Sequence, residues 1–484
     1  MKAMALEKAA TLCSFMIVWR PLVMVGATSA LLLALTSPAT SATQAAGPSP
    51  CTVNCDDVRQ VIDGFGASSA FFADRIEGCS EPLRSQVLDL LFSRTNGIGL
   101  SLLRIWLADL LEPSCGVWDW KFNVGEVFVL RQARQRGVST VFATPWTPPA
   151  WMKDNNDRNH GGSLRTDMYQ AYADFLSRGV REYKARFNET IDFISVQNEP
   201  EISQSYVSCV WTGDQLHTFL KDHLLPTFAN DGVTAKVMMP ESGWFPDERY
   251  VLPSLSDVTT RRGIDVVAFH GYGGSCWLTN SKSSGKRVWE TGVWGPNNAK
   301  CDPSISSGIF VAKMVCDCFT KAEANAFNYW WLVSDTQDNA ALIAMNTNWT
   351  ACTATKSLYA LGNYSRFVRP GWHRIGAIGK PASDLEVTAY KETATGQFAV
   401  VAINESDTAQ DVDFKLAGFA PSMITPYRTS SEENLARLHD IGASPGGFRA
   451  ILAARSVTTF TGAVLSPTRR RSLVNSESQE GRCP

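Results

Sequence analysis

Between Gly64 and Gly362 the chain switches its apolar pattern repeatedly. Short apolar runs at 100–105, 138–143, 191–196, 235–239, 264–269, 288–290 and 326–331 read as strands. Stretches of helical spacing at 127–136, 166–187 and 215–228 lie among them; in the second, Tyr169, Tyr172, Phe175, Val180 and Tyr183 fall on or near one face. Strands separated by helices pair in parallel. About eight of them predict a closed (β/α)8 TIM barrel.

Beyond about Asn363 the helical period fades, and the runs at 385–390, 398–404, 412–416 and 456–460 follow one another as strands. That predicts an antiparallel β-sandwich of about a hundred residues. The alternating segment 51–61 is expected to pack with it. The expected organisation is therefore a leader and flexible start at 1–46, a barrel at 62–362, a side domain made of 51–61 plus 363–464, and a disordered tail at 465–484.

The chain is long enough for a large core: of 484 residues, 44% are apolar and 19% charged. A net charge of −2, with no broad basic stripe, gives no reason to expect a nucleic-acid partner. Lys2, Lys8 and Arg20 precede an apolar run from about Leu22 to Leu35, followed by small residues with Ala42 or Ala45 as cleavage points. This reads as an export signal, so a secreted monomer without stable membrane insertion is expected. Eleven of the 12 cysteines lie beyond that leader, where disulfides are the natural expectation. Asn188, Asn348, Asn363 and Asn404 each begin a glycosylation triplet. The six histidines are dispersed, so neither a metal nor another cofactor is expected.

Candidate chemistry concentrates at two runs. The segment 194–201 ends in Asn198-Glu199-Pro200, and Pro200 cannot extend a sheet ladder. The run 286–290 is read as ending in a lone carboxylate, Glu290. Catalytic groups of a βα-barrel stand at the C-terminal strand edge, and two carboxyls there are the minimum for cleaving a glycosidic bond. Glu241 follows another strand and is the rival for the second carboxylate, with a hydrogen-bonding supporting role preferred for it. Glu201 reads as a helix-start charge.

Asp63-Gly64-Phe65-Gly66, Leu103-Arg104-Ile105, 143–152 with Trp146 at its centre, 195–200, His270-Gly271-Tyr272, Trp289-Glu290, Tyr329-Trp330-Trp331 and 366–371 occur in that order. Together they resemble glycoside hydrolase family 30, and within it the xylanase branch. The resemblance implies a barrel flanked by a β-sandwich and a retaining mechanism, with Glu199 as general acid/base and Glu290 as nucleophile. It implies supporting roles for Arg104, Asn198, His270 and Tyr272. Of Trp146, Trp330 and Trp331, at least one is expected to form a sugar platform, the others being core fillers. In glucuronoxylan-specific members, arginines after the Tyr-Trp-Trp strand grip a glucuronate. Here 332–339 holds Asp335 and Asp338 and no arginine. The expected activity is thus cleavage of internal β-1,4 bonds of xylan without strict need for glucuronic acid. The alternatives are a β-1,6-galactan or glucan hydrolase, an exo-acting β-glycosidase, and a carbohydrate-binding protein.

Overall fold

The computed structural model describes residues 49–244, 248–272, 284–296, 300–378, 383–444 and 446–463. The chain separates into two units, 1–48 and 49–484. The expected leader and tail lie outside the described residues.

Eight parallel strands close into a barrel: β2 (Gly64–Ser68), β3 (Leu102–Trp106), β4 (Thr140–Thr144), β5 (Phe193–Ser195), β6 (Lys236–Ser242), β7 (Ile264–His270), β8 (Arg287–Val293) and β9 (Ala326–Ser334). β9 pairs with both β2 and β8, which completes the ring. Pairing continues from β9 to β10 (Ala341–Met345) and then β11 (Cys352–Ala354). Leu102, Phe142, Phe193, Met238, Val266, Ala268, Trp289 and Ala326 form one buried apolar cluster, contributed by seven of the eight barrel strands. β2 adds a glycine instead. A Cβ on Gly66 would stand 2.2 Å from the Asn328 Oδ1, so only a glycine lets β2 approach so closely.

The other face of the barrel strands packs under helices. The helix Tyr169–Phe187 buries Tyr172, Phe175, Leu176, Val180 and Tyr183, the face its sequence spacing predicts. It ends at Asn188, whose φ of 56° is the left-handed stop that asparagine tolerates. The helix Lys356–Ser365 is capped by the Thr355 hydroxyl, which accepts from the Leu358 N–H.

The second sheet takes β1 (Ser49–Val61), β12 (His373–Ile378), β13 (Leu385–Lys391), β14 (Gln397–Asn404), β15 (Gln410–Ala417), β16 (Met423–Thr429), β17 (Ala436–Arg437), β18 (Ile441–Gly442), β19 (Gly447–Leu452) and β20 (Ser456–Ala463). All pairings are antiparallel except β1 with β15. β1 sits between β12 and β15, so the N-terminal segment is a strand of this sheet. Phe414, Phe448 and Phe460 anchor its separate core.

Three expectations are modified. Cys318 is disulfide-bonded, whereas Cys51, Cys55, Cys79, Cys115, Cys209, Cys301, Cys316 and Cys352 are free thiols. Cys51 and Cys209 are fully buried in apolar cores, where they pack as small hydrophobes. Asn363 and Asn404 are fully buried and cannot carry a glycan in the folded chain. Asn363 donates to the Tyr427 carbonyl, and Asn404 to the carbonyls of Thr408, Leu452 and Ala453. Glu201 does not open a helix; it accepts from the Ser242 hydroxyl and the Gly243 N–H, tying the loop after β5 to the end of β6.

Candidate active site

Strand alternation sets the floor of the site. Two residues above the inward Leu102, Phe142, Ala268 and Ala326 stand Arg104, Thr144, His270 and Asn328, all buried. Arg104 is the hub. Its Nη2 donates to the Asn198 Oδ1 at 2.6 Å and lies 3.1 Å from the Glu241 Oε1; its Nε donates to the Thr144 Oγ1 at 3.3 Å. The guanidinium lies 4.6 Å from the Trp146 ring centre and 5.5 Å from that of Trp330. Arginine suits this place because its planar fork serves several acceptors while its face stacks on rings.

Glu199 and Glu241 are coupled through the backbone and through His270. The Glu199 N–H donates to the Glu241 carbonyl at 3.0 Å. Both residues hold left-handed backbones, with φ of 46° and 53°. Such strain in a non-glycine residue costs about 1–3 kcal/mol and persists where the surroundings enforce it. His270 Nδ1 lies 3.0 Å from the Glu199 Oε1, and its Nε2 lies 3.8 Å from the Glu241 Oε1. The imidazole therefore separates the two carboxyls.

Their electrostatics differ by environment. Burial opposes the charge of Glu241, yet Arg104 and His270 outweigh it and hold this carboxyl down at about 2. Burial also opposes a charged His270, but its contacts with Glu199 and Glu241 raise it above the usual imidazole range.

Glu290 is placed differently from the expectation. β8 does not end there but runs on to Val293. Glu290 registers with Phe269 on β7 and Phe327 on β9, both part of the core under the helices. Its carboxyl accepts from the Gly292 N–H at 2.9 Å and the Asn328 N–H at 3.3 Å. Burial pushes it up to about 8, against those N–H groups and the charge of His270. One extra residue enters β8 after Glu290, so it is Gly292 that registers with His270.

The other expected residues gather at the same strand ends. Tyr272 meets His270 edge-on at 5.6 Å. Trp330 stacks on Trp331 at 4.9 Å and tilts against Trp146 at 5.7 Å. Asp335 is not a free repulsive charge: it accepts from Arg75 Nη1 at 2.6 Å and from the Trp349 indole at 2.9 Å.

Sequence reasoning missed several participants. Phe71 is partly exposed with φ 70°, and its ring meets Trp106, Trp146 and Trp330 edge-on. Gln197 donates to the carbonyls of Trp146 and Asn198, holding the loop before Glu199. Thr144 donates to the Glu241 Oε2 at 2.9 Å. A threonine at a strand end carries no signal by itself, but Phe71, three residues past the end of β2, could have been flagged by that place.

A family model, O-glycosyl hydrolase family 30, matches residues 109–280. The crystal structure of a glycoside hydrolase family 30 subfamily 8 xylanase, Xyn30A, from Clostridium acetobutylicum superposes with a TM-score of 0.75 at 31% identity, over 86% of this chain and 100% of that one. The chain belongs to glycoside hydrolase family 30. Within the family it sits on the xylanase branch. The catalytic domain of GH30 xylanase C from Talaromyces cellulolyticus superposes with a TM-score of 0.77 at 28% identity, covering 86% of this chain and 100% of that chain. Glucuronoxylanase XynC of Bacillus subtilis is 28% identical over 433 residues, 87% of this chain and 93% of that relative. Among the described residues of this family 30 hydrolase, no group of His, Cys, Asp and Glu could hold a metal ion, and no helix is long and apolar enough to cross a membrane.

Proposed function

We propose that this chain is an exported endo-xylanase that cleaves internal β-1,4 bonds and does not require glucuronic acid side groups. The observation that carries this reading is the Arg104–Glu241–His270–Glu199 network at the C-terminal strand ends, roofed by Trp146, Trp330 and Phe71. Glu199 is the proton donor to the leaving oxygen. His270 on its Oε1 holds the carboxyl in place, and its side chain retains some exposure where Glu241 has none. Arg104 occupies the Asn198 amide oxygen, so the amide NH2 is what Asn198 offers a sugar hydroxyl. The aromatic shelf takes the apolar face of a xylose ring.

For the second carboxylate the expectation fell on Glu290, and the contacts favour Glu241. A carboxyl raised to about 8 is mostly protonated at neutral pH and a poor nucleophile, whereas one held at about 2 is fully ionised. Glu241 therefore supplies a buried negative charge that, acting through Arg104 and His270, sets the field at the developing oxocarbenium ion. Retention of anomeric configuration is the outcome proposed, read by proton NMR of the first product formed.

Independence from glucuronate follows from the loop 332–339, which offers no guanidinium, and from Arg75 being engaged with Asp335. Side-by-side hydrolysis of glucuronoxylan, arabinoxylan, β-1,6-galactan and β-1,6-glucan tests it. Oligosaccharide ladders from both xylans support the reading. Cleavage of glucuronoxylan alone, or of a β-1,6 polymer alone, contradicts it. A second reading, sugar binding without turnover, is favoured by one observation: Gly292, level with His270 on β8, brings no carboxylate to the site. Xylo-oligosaccharide binding with no hydrolysis of any of the four polymers would select it.

A further inference from the structure

Every barrel strand end around Arg104 and His270 carries a side chain except that of β8, where Gly292 stands. A Cβ built on Gly292 would lie 3.1 Å from the Arg104 Nη1 and 3.2 Å from the His270 Nε2. Those two nitrogens are buried, and neither has a hydrogen-bond partner among the described residues. Two nitrogen donors thus converge on the one direction in which β8 sends no side chain. Buried donors of this kind are costly to leave unpaired, at about 1–3 kcal/mol each, and more when charged.

The chemistry of the cradle selects its ligand. Arg104 can only donate. His270 Nδ1 faces a carboxylate oxygen and so carries a proton; Nε2 carries one too when the ring is charged. A cation is repelled by the guanidinium. A neutral sugar hydroxyl satisfies one donor, while a carboxylate satisfies two with its paired oxygens. The approach to Gly292 is tight, with both nitrogens within 3.2 Å of a Cβ position there, so the cradle selects a ligand of no more than a few atoms. Glu241, whose Oε1 lies 3.1 Å from the Arg104 Nη2 and 3.8 Å from the His270 Nε2, already neutralises one positive charge on the Arg104–His270 pair, so a single further negative charge balances a charged pair.

We propose that Gly292, Arg104 and His270 form a binding site for a small carboxylate of formate or acetate size, seated over the Gly292 Cα with its oxygens on Arg104 Nη1 and His270 Nε2. The site rests on the geometry of the strand ends and not on which polysaccharide is cleaved.

Thermal unfolding of the full folded chain in sodium formate, against sodium chloride at equal ionic strength, tests it without reference to hydrolysis. The wild type gains a saturable rise in Tm of about 1–3 °C over chloride, because the anion binds only the native state. Gly292→Ala places a methyl in the cradle and abolishes the formate-specific part. Equal formate shifts in wild type and G292A, or none beyond chloride in the wild type, overturn the proposal. Should G292A fail to fold, the wild type crystallised in formate decides: density bridging the Arg104 Nη1 and the His270 Nε2 supports the site, and its absence at a saturating concentration overturns it.

Discussion

At the scale of single residues, position in the pleat decides between two acidic side chains of the same type. Glu290 and Glu241 are both fully buried, yet one is pushed up to about 8 and the other held at about 2. Glu241 is paired with Arg104; Glu290 has no such partner among the described residues and accepts from the backbone N–H groups of Gly292 and Asn328. Glu290 consequently makes stability depend on pH. Its folded-state value lies above the ordinary carboxyl value of 4.5, so the native state holds an extra proton between about 4.5 and 8. Its contribution is full below that range and is lost as pH rises through 8. Glu290→Gln cannot titrate, so the stability gap between wild type and variant, read by urea unfolding, should narrow by about 1 kcal/mol or more from pH 5 to pH 8.5. An unchanged gap contradicts the placement. That Glu199 stands at a strand end was legible from Asn-Glu-Pro closing an apolar run. That β8 runs on past Glu290 was not, since nothing in Val288-Trp289-Glu290-Thr291-Gly292 marks where the extra residue enters.

At the scale of elements, the strands were readable because each is a short apolar run bounded by turn residues. Their ends were less so. β6 was expected to stop at Met239 and runs through Pro240 to Ser242, which sets Glu241 facing Arg104 within the strand. β8 was expected to stop at Glu290 and runs to Val293. In both cases pairing to β7 carries the strand on, with an irregular register in each ladder, and register depends on a neighbour that the local sequence does not reveal. The lower half of β8 is fixed by Trp289, whose ring packs against Phe142 and Phe193 inside the barrel and whose indole N–H donates to Asp63 at 2.8 Å. Trp289→Ala should destabilise the fold by about 3–5 kcal/mol, measured as a lowered urea midpoint. A loss under 1 kcal/mol would mean that the barrel interior is not packed as described.

At the scale of the whole molecule, the barrel and the second sheet share the helix Lys356–Ser365. Asn363 on that helix donates to Tyr427 and Thr459 of the sheet, while Ser365 donates to the Ile98 carbonyl of the barrel. The sequence marks Asn363 as a glycan acceptor because the triplet is local, whereas its burial is set by strands more than sixty residues away. Expression in a glycosylating host should therefore modify Asn188 and Asn348, which are exposed, and leave Asn363 and Asn404 bare, as read by peptide mass mapping. A glycan on Asn363 in folded protein contradicts the shared interface.

The central claim is that Glu199 gives the proton opposite an ionised Glu241. Its most direct measurement is kcat on soluble xylan for Glu199→Gln, Glu241→Gln and Glu290→Gln, each first shown to be folded, because E241Q leaves Arg104 buried without its charge partner. The account predicts that E199Q and E241Q each lose about 10²–10⁴-fold, and that E290Q stays within about tenfold of wild type. Loss confined to E199Q and E290Q, with E241Q at the wild-type rate, would contradict it.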